Sequence, residues 1–183
     1  MQLMVKRWWF IGLMVLGIGG VGVLLFSSQP HMQQAEAAAT EEMRGVWIAS
    51  VYNIDFPSKQ GLSESQMKQE INTILENVKK MNGNAVFFQV RPVGDALYPS
   101  ALYPWSSYLS GVQGQAPDNN FDPLAYMIQQ GKKQGIAIHA WINPYKITRG
   151  SAAKPSHDLS ALSPNHPARK YSDIVVSHPN GEL

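Results

Sequence analysis

The feature that most constrains the fold is a regular alternation of strand-like and helix-like segments in the middle of the chain. Runs rich in β-branched and aromatic residues at 44–51, 85–91 and 136–143 predict three strands. Residues 63–83 and 122–135 lie between these runs and predict two amphipathic helices. The order β-α-β-α-β indicates parallel strands joined by right-handed crossovers.

Both predicted helices carry residues that are typical of helix boundaries. Ser63, with Gln66 three residues later, predicts a capping box at the start of the first helix. Gly83 is the expected C-terminal cap of that helix. Asp122 and Pro123 predict the start of the second helix, because Asp accepts from free amides and Pro needs no donor there.

The two faces of the predicted strands help to choose between two architectures. An open doubly wound sheet has helices on both faces and needs apolar residues on both. In the runs 85–91 and 136–143, one face is apolar and the other becomes polar toward the C-terminal end. No Gly-rich dinucleotide-binding turn follows any of the strands. The pattern therefore favours an α/β fold that is the N-terminal portion of a (β/α)8 TIM-type barrel.

Residues 1–39 are predicted to be a signal peptide with its cleavage region. Lys6 and Arg7 precede an unbroken run of apolar residues and Gly at 10–26, and Ala-Glu-Ala at 35–37 offers the small residues that signal peptidase reads. A retained membrane anchor is the alternative, since the run is close to the shortest that spans a bilayer. Both readings predict a secreted or cell-envelope protein whose remaining chain is a partial barrel of about three βα units at 40–183.

Composition argues against several other functions. The chain has 15 Lys and Arg against 13 Asp and Glu, which leaves no basic surplus for nucleic acid. It contains no Cys, so disulfides, thiolate nucleophiles and thiolate zinc sites are absent. The spacing of His157, His166 and His178 matches no zinc motif. We therefore expect no metal or other cofactor, and no membrane partner beyond the signal segment.

Polar and aromatic side chains collect where the predicted strands end, which is where a barrel builds its site. Flat aromatic rings stack on the C–H faces of sugars, while Asn, Asp and Arg pair with their hydroxyls. This combination predicts a carbohydrate site. The predicted substrate-binding residues are Asn53, Asp55, Arg91, Asp95, Trp105, His139, Trp141, Asn143 and Tyr145.

Several of these residues also have a purely structural interpretation. Arg91 and Asp95 can pair with each other to brace the loop that carries them. His139 can be a satisfied core histidine, and Asn143 can simply end the third strand. The aromatic residues of the long loop 92–121 can form a small core within the loop. A loop of this length without secondary structure is uncommon, however, and is usually functional when it is ordered.

Long motifs in this chain resemble the glycosyl-hydrolase-like 10 family. They read RGVWIASV at 44–51, followed by NIDFP at 53–57, FQVRPVGDALYPS at 88–100 and HAWINPY at 139–145. The resemblance implies a TIM-type barrel and a glycoside hydrolase that acts on bacterial cell-wall or related polysaccharide. A polysaccharide or a peptidoglycan glycan is then the expected partner.

The resemblance also implies further strands that this chain does not contain. Glycoside hydrolysis normally uses two carboxyl groups, and the predicted barrel mouth offers Asp55 and Asp95. We therefore expect the chain to be the N-terminal part of a longer hydrolase. In that reading Asp95 is a candidate catalytic residue and the main acids follow Leu183. The alternative is a non-catalytic truncated fragment that at most binds sugar.

Overall fold

The computed structural model of the protein describes residues 42–148 and 158–176. The predicted signal peptide at 1–39 lies outside the described residues, as do His157 and His178. Within the two described ranges, no helix is both long and apolar enough to span a membrane.

Three parallel strands and two long helices form the frame of the described chain. Neighbouring strands pair in the order β1-β2-β3, with Trp47, Phe87 and His139 in one row across the sheet. The alternation predicted from the sequence is therefore confirmed. The strands are β1 (Gly45–Ile48), β2 (Ala85–Arg91) and β3 (Ala137–Ile142), and the helices are α1 (Glu64–Lys80), α2 (Ser107–Ser110), α3 (Pro123–Gln134) and α4 (Pro167–Lys170).

The predicted helix starts are confirmed in detail. The Ser63 side chain accepts from the backbone amide of Gln66, whose own side chain accepts from the Ser63 amide at 2.9 Å. This reciprocal pair satisfies two donors that would otherwise lack partners at the start of α1. Asp122 caps α3 with a single bond, in which its side chain accepts from the amide of Ala125 at 3.0 Å, and Pro123 follows it.

The predicted cap at the end of α1 is displaced by one residue. Asn82, with φ of 59°, adopts the left-handed conformation that was expected of Gly83. The Gly83 amide then donates to the carbonyl of Val78 at 2.8 Å, as in a Schellman motif. Glycine is still required at 83, because a Cβ there would lie 2.7 Å from Cγ1 of Val78.

Both long helices cover the same face of the sheet. Tyr126 of α3 donates to Asn72 of α1 at 3.3 Å, so the two helices lie side by side. The apolar residues of the two helices share one core with β2. Its main members are Met67, Ile71, Leu75 and Val78 of α1, Val86, Phe88 and Val90 of β2, and Met127 of α3. None of these residues is more than 1% exposed.

The opposite face of the sheet remains uncovered in the described chain. Trp47 on β1 is 58% exposed, and β3 has no fully buried residue. A parallel sheet with helices on one face and aromatic side chains on the other is compatible with part of a TIM-type domain. The described residues therefore form a mixed α/β structure of three parallel strands and helices.

The loop between β2 and α3 is more ordered than the sequence suggests. It contains α2, a 3-10 turn at Asp118–Asn120 and a parallel bridge between Ala96 and Trp105. Leu97 and Leu109 are buried in the main core, and Tyr108 is only 1% exposed. Residues 92–121, which the sequence indicates as a loop, thus contain short elements of their own, and their apolar side chains pack onto the sheet and helices.

Candidate functional site

The end of β1 is fixed by the buried side chain of Gln89. Its Oε1 accepts from the backbone amides of Ser50 and Val51, each at 3.0 Å. The Ser50 hydroxyl donates to the Gln89 carbonyl at 2.8 Å. These bonds take the amides away from strand pairing, so β1 ends at Ile48 and not at Val51 as predicted.

Asn53 and Asp55 lie in the loop that follows β1, where their polar groups are bonded to the main chain. The Asn53 Nδ2 donates to the carbonyls of Pro57 at 2.8 Å and Tyr108 at 2.9 Å. The Asp55 Oδ2 accepts from the amide of Ala49 at 2.7 Å. Both side chains hold the loop in place, and Asn53 also ties it to the loop that follows β2.

A row of stacked rings crosses the open face of the sheet. The Phe87 ring stacks on Trp47 at 4.7 Å between centroids and on His139 at 4.9 Å. Trp141 meets Trp47 edge-on at 5.1 Å. His139 and Trp141 were predicted site residues, whereas Trp47 and Phe87 were not. The strand alternation that places them on the face of His139 is the signal that identifies them.

Asn143 links the end of β3 to the end of β2. Its Oδ1 accepts from the indole Nε1 of Trp141 at 3.0 Å, and its Nδ2 donates to the Pro92 carbonyl at 2.9 Å. The Asn143 amide donates to the Arg91 carbonyl, also at 2.9 Å. Asn143 thus orients the Trp141 ring. The nearby His139 has a buried Nε2 that makes no hydrogen bond among the described residues.

Arg91 lies in a cleft between the end of β2 and the segment that follows β3. Its guanidinium stacks on the Tyr103 ring, with Cζ 3.7 Å from the ring centroid. The cleft has a volume of about 230 Å³, and Tyr145, which is 93% exposed, stands at its rim. The pairing of Arg91 with Asp95 that the sequence allows stays a prediction.

Asp95 lies in a second, polar cleft of about 260 Å³. Its side chain is 1% exposed, and its Oδ2 accepts from the Gln113 Nε2 at 3.2 Å. Gln113 in turn accepts from the backbone amide of Ser163 at 3.0 Å. Ile147 lines both this cleft and the Arg91 cleft. Among the described lining residues of the two clefts, Asp95 is the one carboxylic acid.

Trp105 is not among the described lining residues of these two clefts. It lines a third cleft, of about 230 Å³, together with Asn165 and Lys170. Its backbone is held there by the bridge to Ala96 and by the amide of Gly114, which donates to the Trp105 carbonyl at 2.8 Å. Tyr103 lines both this cleft and the Arg91 cleft, so Trp105 lies beside the Arg91 cleft and not within it.

His166 was considered in the sequence only as a metal ligand, but it has a different place in the site. It is 1% exposed and lines the Arg91 cleft, and its Nδ1 accepts from the Ala168 amide at 3.1 Å. A Cβ on Gly94 would lie 2.4 Å from its Nε2, so glycine makes room for the ring. Burial lowers the His166 pKa to about 4, against a smaller raising effect of the Ile147 carbonyl.

The parallel strands, with aromatic rings and polar side chains at their ends, define a mixed α/β protein. This class includes glycosyl hydrolases. Residues 42–181 match the family described as Glycosyl hydrolase-like 10, and the chain belongs to that family. The resemblance seen in the sequence motifs is therefore confirmed.

Two curated relatives illustrate the match. Glycosyl hydrolase YngK of Bacillus subtilis (strain 168) is 51% identical over 153 residues, which cover 84% of this chain and 28% of the relative. Glycosyl hydrolase DigH of Escherichia coli (strain K12) is 32% identical over 140 residues, which cover 73% of this chain and 31% of the relative. The chain thus spans less than a third of the length of these relatives, which suggest a glycosidase-like function.

The Gln89 side chain is predicted to be essential for the shape of the site. Gln89→Leu leaves the amides of Ser50 and Val51 without their acceptor, so the free energy of unfolding should fall by about 1–3 kcal/mol. Urea denaturation measures this loss. Gln69→Leu, at an exposed position of α1, is the control and should change stability by less than about 0.5 kcal/mol. Equal effects of the two substitutions would contradict the role of Gln89.

The lowered pKa of His166 predicts a pH dependence of stability. Between pH 6.5 and about 4, the unfolded chain binds a proton on this imidazole that the folded chain does not. Stability should therefore be complete above pH 6.5 and fall as the pH drops through this range. Denaturant midpoints at pH 7 and 5 should differ less in His166→Gln than in the wild type. The same difference in both proteins would contradict the assignment.

Proposed function

We propose that this protein is an exported glycoside hydrolase that acts on bacterial cell-wall or related polysaccharide. The described chain supplies the sugar-binding, N-terminal part of a TIM-type barrel mouth. The observation that carries the proposal is the position of Arg91 and Trp141 near the ends of neighbouring strands, with Asp95 in the loop after β2, in a member of a glycosyl-hydrolase-like family. Export rests on the signal-peptide pattern at 1–39.

The exposed rings give this surface its affinity for sugar. Trp47 is 58% and Tyr145 is 93% exposed, so both offer ring faces to a ligand. Trp141 is oriented by its bond to Asn143 and presents its indole beside Trp47. Rigid aromatic platforms of this kind suit the C–H faces of pyranose rings. A glycan lying across them has its hydroxyl groups directed toward the polar loop residues.

Asp95 is the group that the proposal places nearest to the chemistry. Hydrolysis of a glycosidic bond normally requires one carboxyl group that protonates the leaving oxygen and a second that attacks or activates water. Asp95 is buried in a polar cleft and keeps the hydrogen bond from Gln113. It would serve as one member of such a pair, and its partner would come from outside the described residues.

A non-catalytic sugar-binding protein is the second candidate. It is favoured by the clefts themselves, since Asp95 is the one acid among their described lining residues. The side chains of Asn53 and Asp55 also form hydrogen bonds with the main chain, and these bonds do not involve a ligand. This candidate shares the aromatic platform with the first, so binding alone does not separate the two.

The separating experiment measures hydrolysis and binding on the same preparations. The full-length protein, with the second carboxyl group that the proposal requires, is incubated with purified bacterial peptidoglycan, and new reducing ends are counted. We predict turnover by the wild type and a loss of at least about 100-fold in Asp95→Asn. Asp173→Asn, at an exposed position, is the control and should retain activity. Glycan binding without turnover would favour the second candidate, and neither binding nor turnover would contradict both.

A further inference from the structure

The cleft that holds Arg91 contains two cationic side chains and no described anion. Arg91 comes from the end of β2, and Lys146 comes from the segment that follows β3. Neither side chain takes part in an ion pair among the described residues. Asp173 lies in the adjoining 3-10 turn at Ser172–Ile174 but is not among the lining residues of the cleft. Among its described lining residues, the cleft therefore carries two positive charges and no negative one.

The stacking of Arg91 prepares its guanidinium for a planar anion. Tyr103 covers one face of the group at 3.7 Å, and the N–H donors of a guanidinium point outward in its plane. The Nε of Arg91 is buried and makes no hydrogen bond among the described residues. A guanidinium edge matches the two oxygens of a carboxylate, and such bidentate pairs are stronger than bonds between neutral groups.

The other described residues that line the cleft carry no charge. His166 is buried and its Nδ1 accepts from Ala168, so the ring remains neutral at pH 7 and adds no competing charge. Ile174 and Val175 also line the cleft, but Ile174 is 70% exposed, so the preference for an anion rests on the two cationic side chains.

We propose that this cleft binds a carboxylate carried by the glycan, with Arg91 forming a bidentate pair and Lys146 adding a second positive charge. This inference rests on the proposed function, and it narrows the substrate to polysaccharides with acidic sugars. The carboxylate belongs either to a uronic acid or to an acidic substituent attached through an ether to a sugar ring. Ile147 lines both clefts, so one glycan can extend from Arg91 to Asp95.

The test compares pairs of oligosaccharides that differ in the carboxylate. Chitin oligomers are matched with glycan oligomers of alternating N-acetylglucosamine and N-acetylmuramic acid, and cello-oligomers with oligomers of glucuronic acid. Binding to the full chain is followed by calorimetry at pH 7. The acidic member of one pair should bind about tenfold more tightly, and the pair concerned identifies the source of the carboxylate. Raising the salt concentration should reduce this preference.

Substitutions of Arg91 and Lys146 test whether this cleft causes the preference for acidic oligomers. Arg91→Gln and Lys146→Gln should each bring the acidic oligomer toward the affinity of its neutral match. Lys79→Gln, on the exposed face of α1, is the charge-matched control and should keep the full preference. If Arg91→Gln does not fold, Lys146→Gln and the salt dependence decide the assignment.

The possible failures are distinguishable. Equal affinity of the wild type for acidic and neutral oligomers would overturn the carboxylate site and leave the proposed function in place. A preference that survives both Arg91→Gln and Lys146→Gln would overturn its assignment to this cleft. Failure of the wild type to bind any of the oligomers would overturn the proposed function and this inference with it.

Discussion

The structure depends on the packing of two helices against one face of β2. Val86, Phe88 and Val90 are buried under α1 and α3, and burial of apolar surface is the largest favourable term in folding. Since strand residues alternate between faces, this burial directs Phe87 to the opposite face of the sheet. The ring row on that face, and the loops at the strand ends, are positioned by this one-sided core.

Polar side chains then connect the loops to that frame. Gln89 turns the chain at the end of β1, and Asn143 joins the ends of β2 and β3. His166 fills the space left by Gly94 and closes the Arg91 cleft from the far side. Each of these groups is at least partly buried, so losing one would leave polar atoms without partners near the site. The clefts are thus formed by a network of hydrogen bonds and not by a single loop.

The sequence predicted the parts of the structure that depend on neighbouring residues. The capping box of Ser63, the start of α3 at Asp122 and the span of β2 are local features, and all three agree. The end of β1 could not be predicted, because it depends on Gln89, far along the chain.

In the candidate site, too, some features follow from neighbouring residues and others require the folded chain. Strand alternation placed His139 and Trp141 on one face, but the pairing of Arg91 with Tyr103 requires the folded loop. The cleft that Trp105 lines and the burial of His166 follow from the folding of the same loop and of the segment around α4. Spacing in the sequence carries no information about these contacts.

Hydrogen–deuterium exchange on the full chain, with and without soluble glycan oligomers released from bacterial peptidoglycan, tests the central claim most directly. The claim is that sugar binds at the carboxyl ends of the strands. It predicts slower amide exchange at 91–95 and 143–148 when glycan is present. The part of the groove along α1 that is lined by Glu70 and Thr73 should not change. Protection of that groove instead, with no change at the strand ends, would contradict the claim.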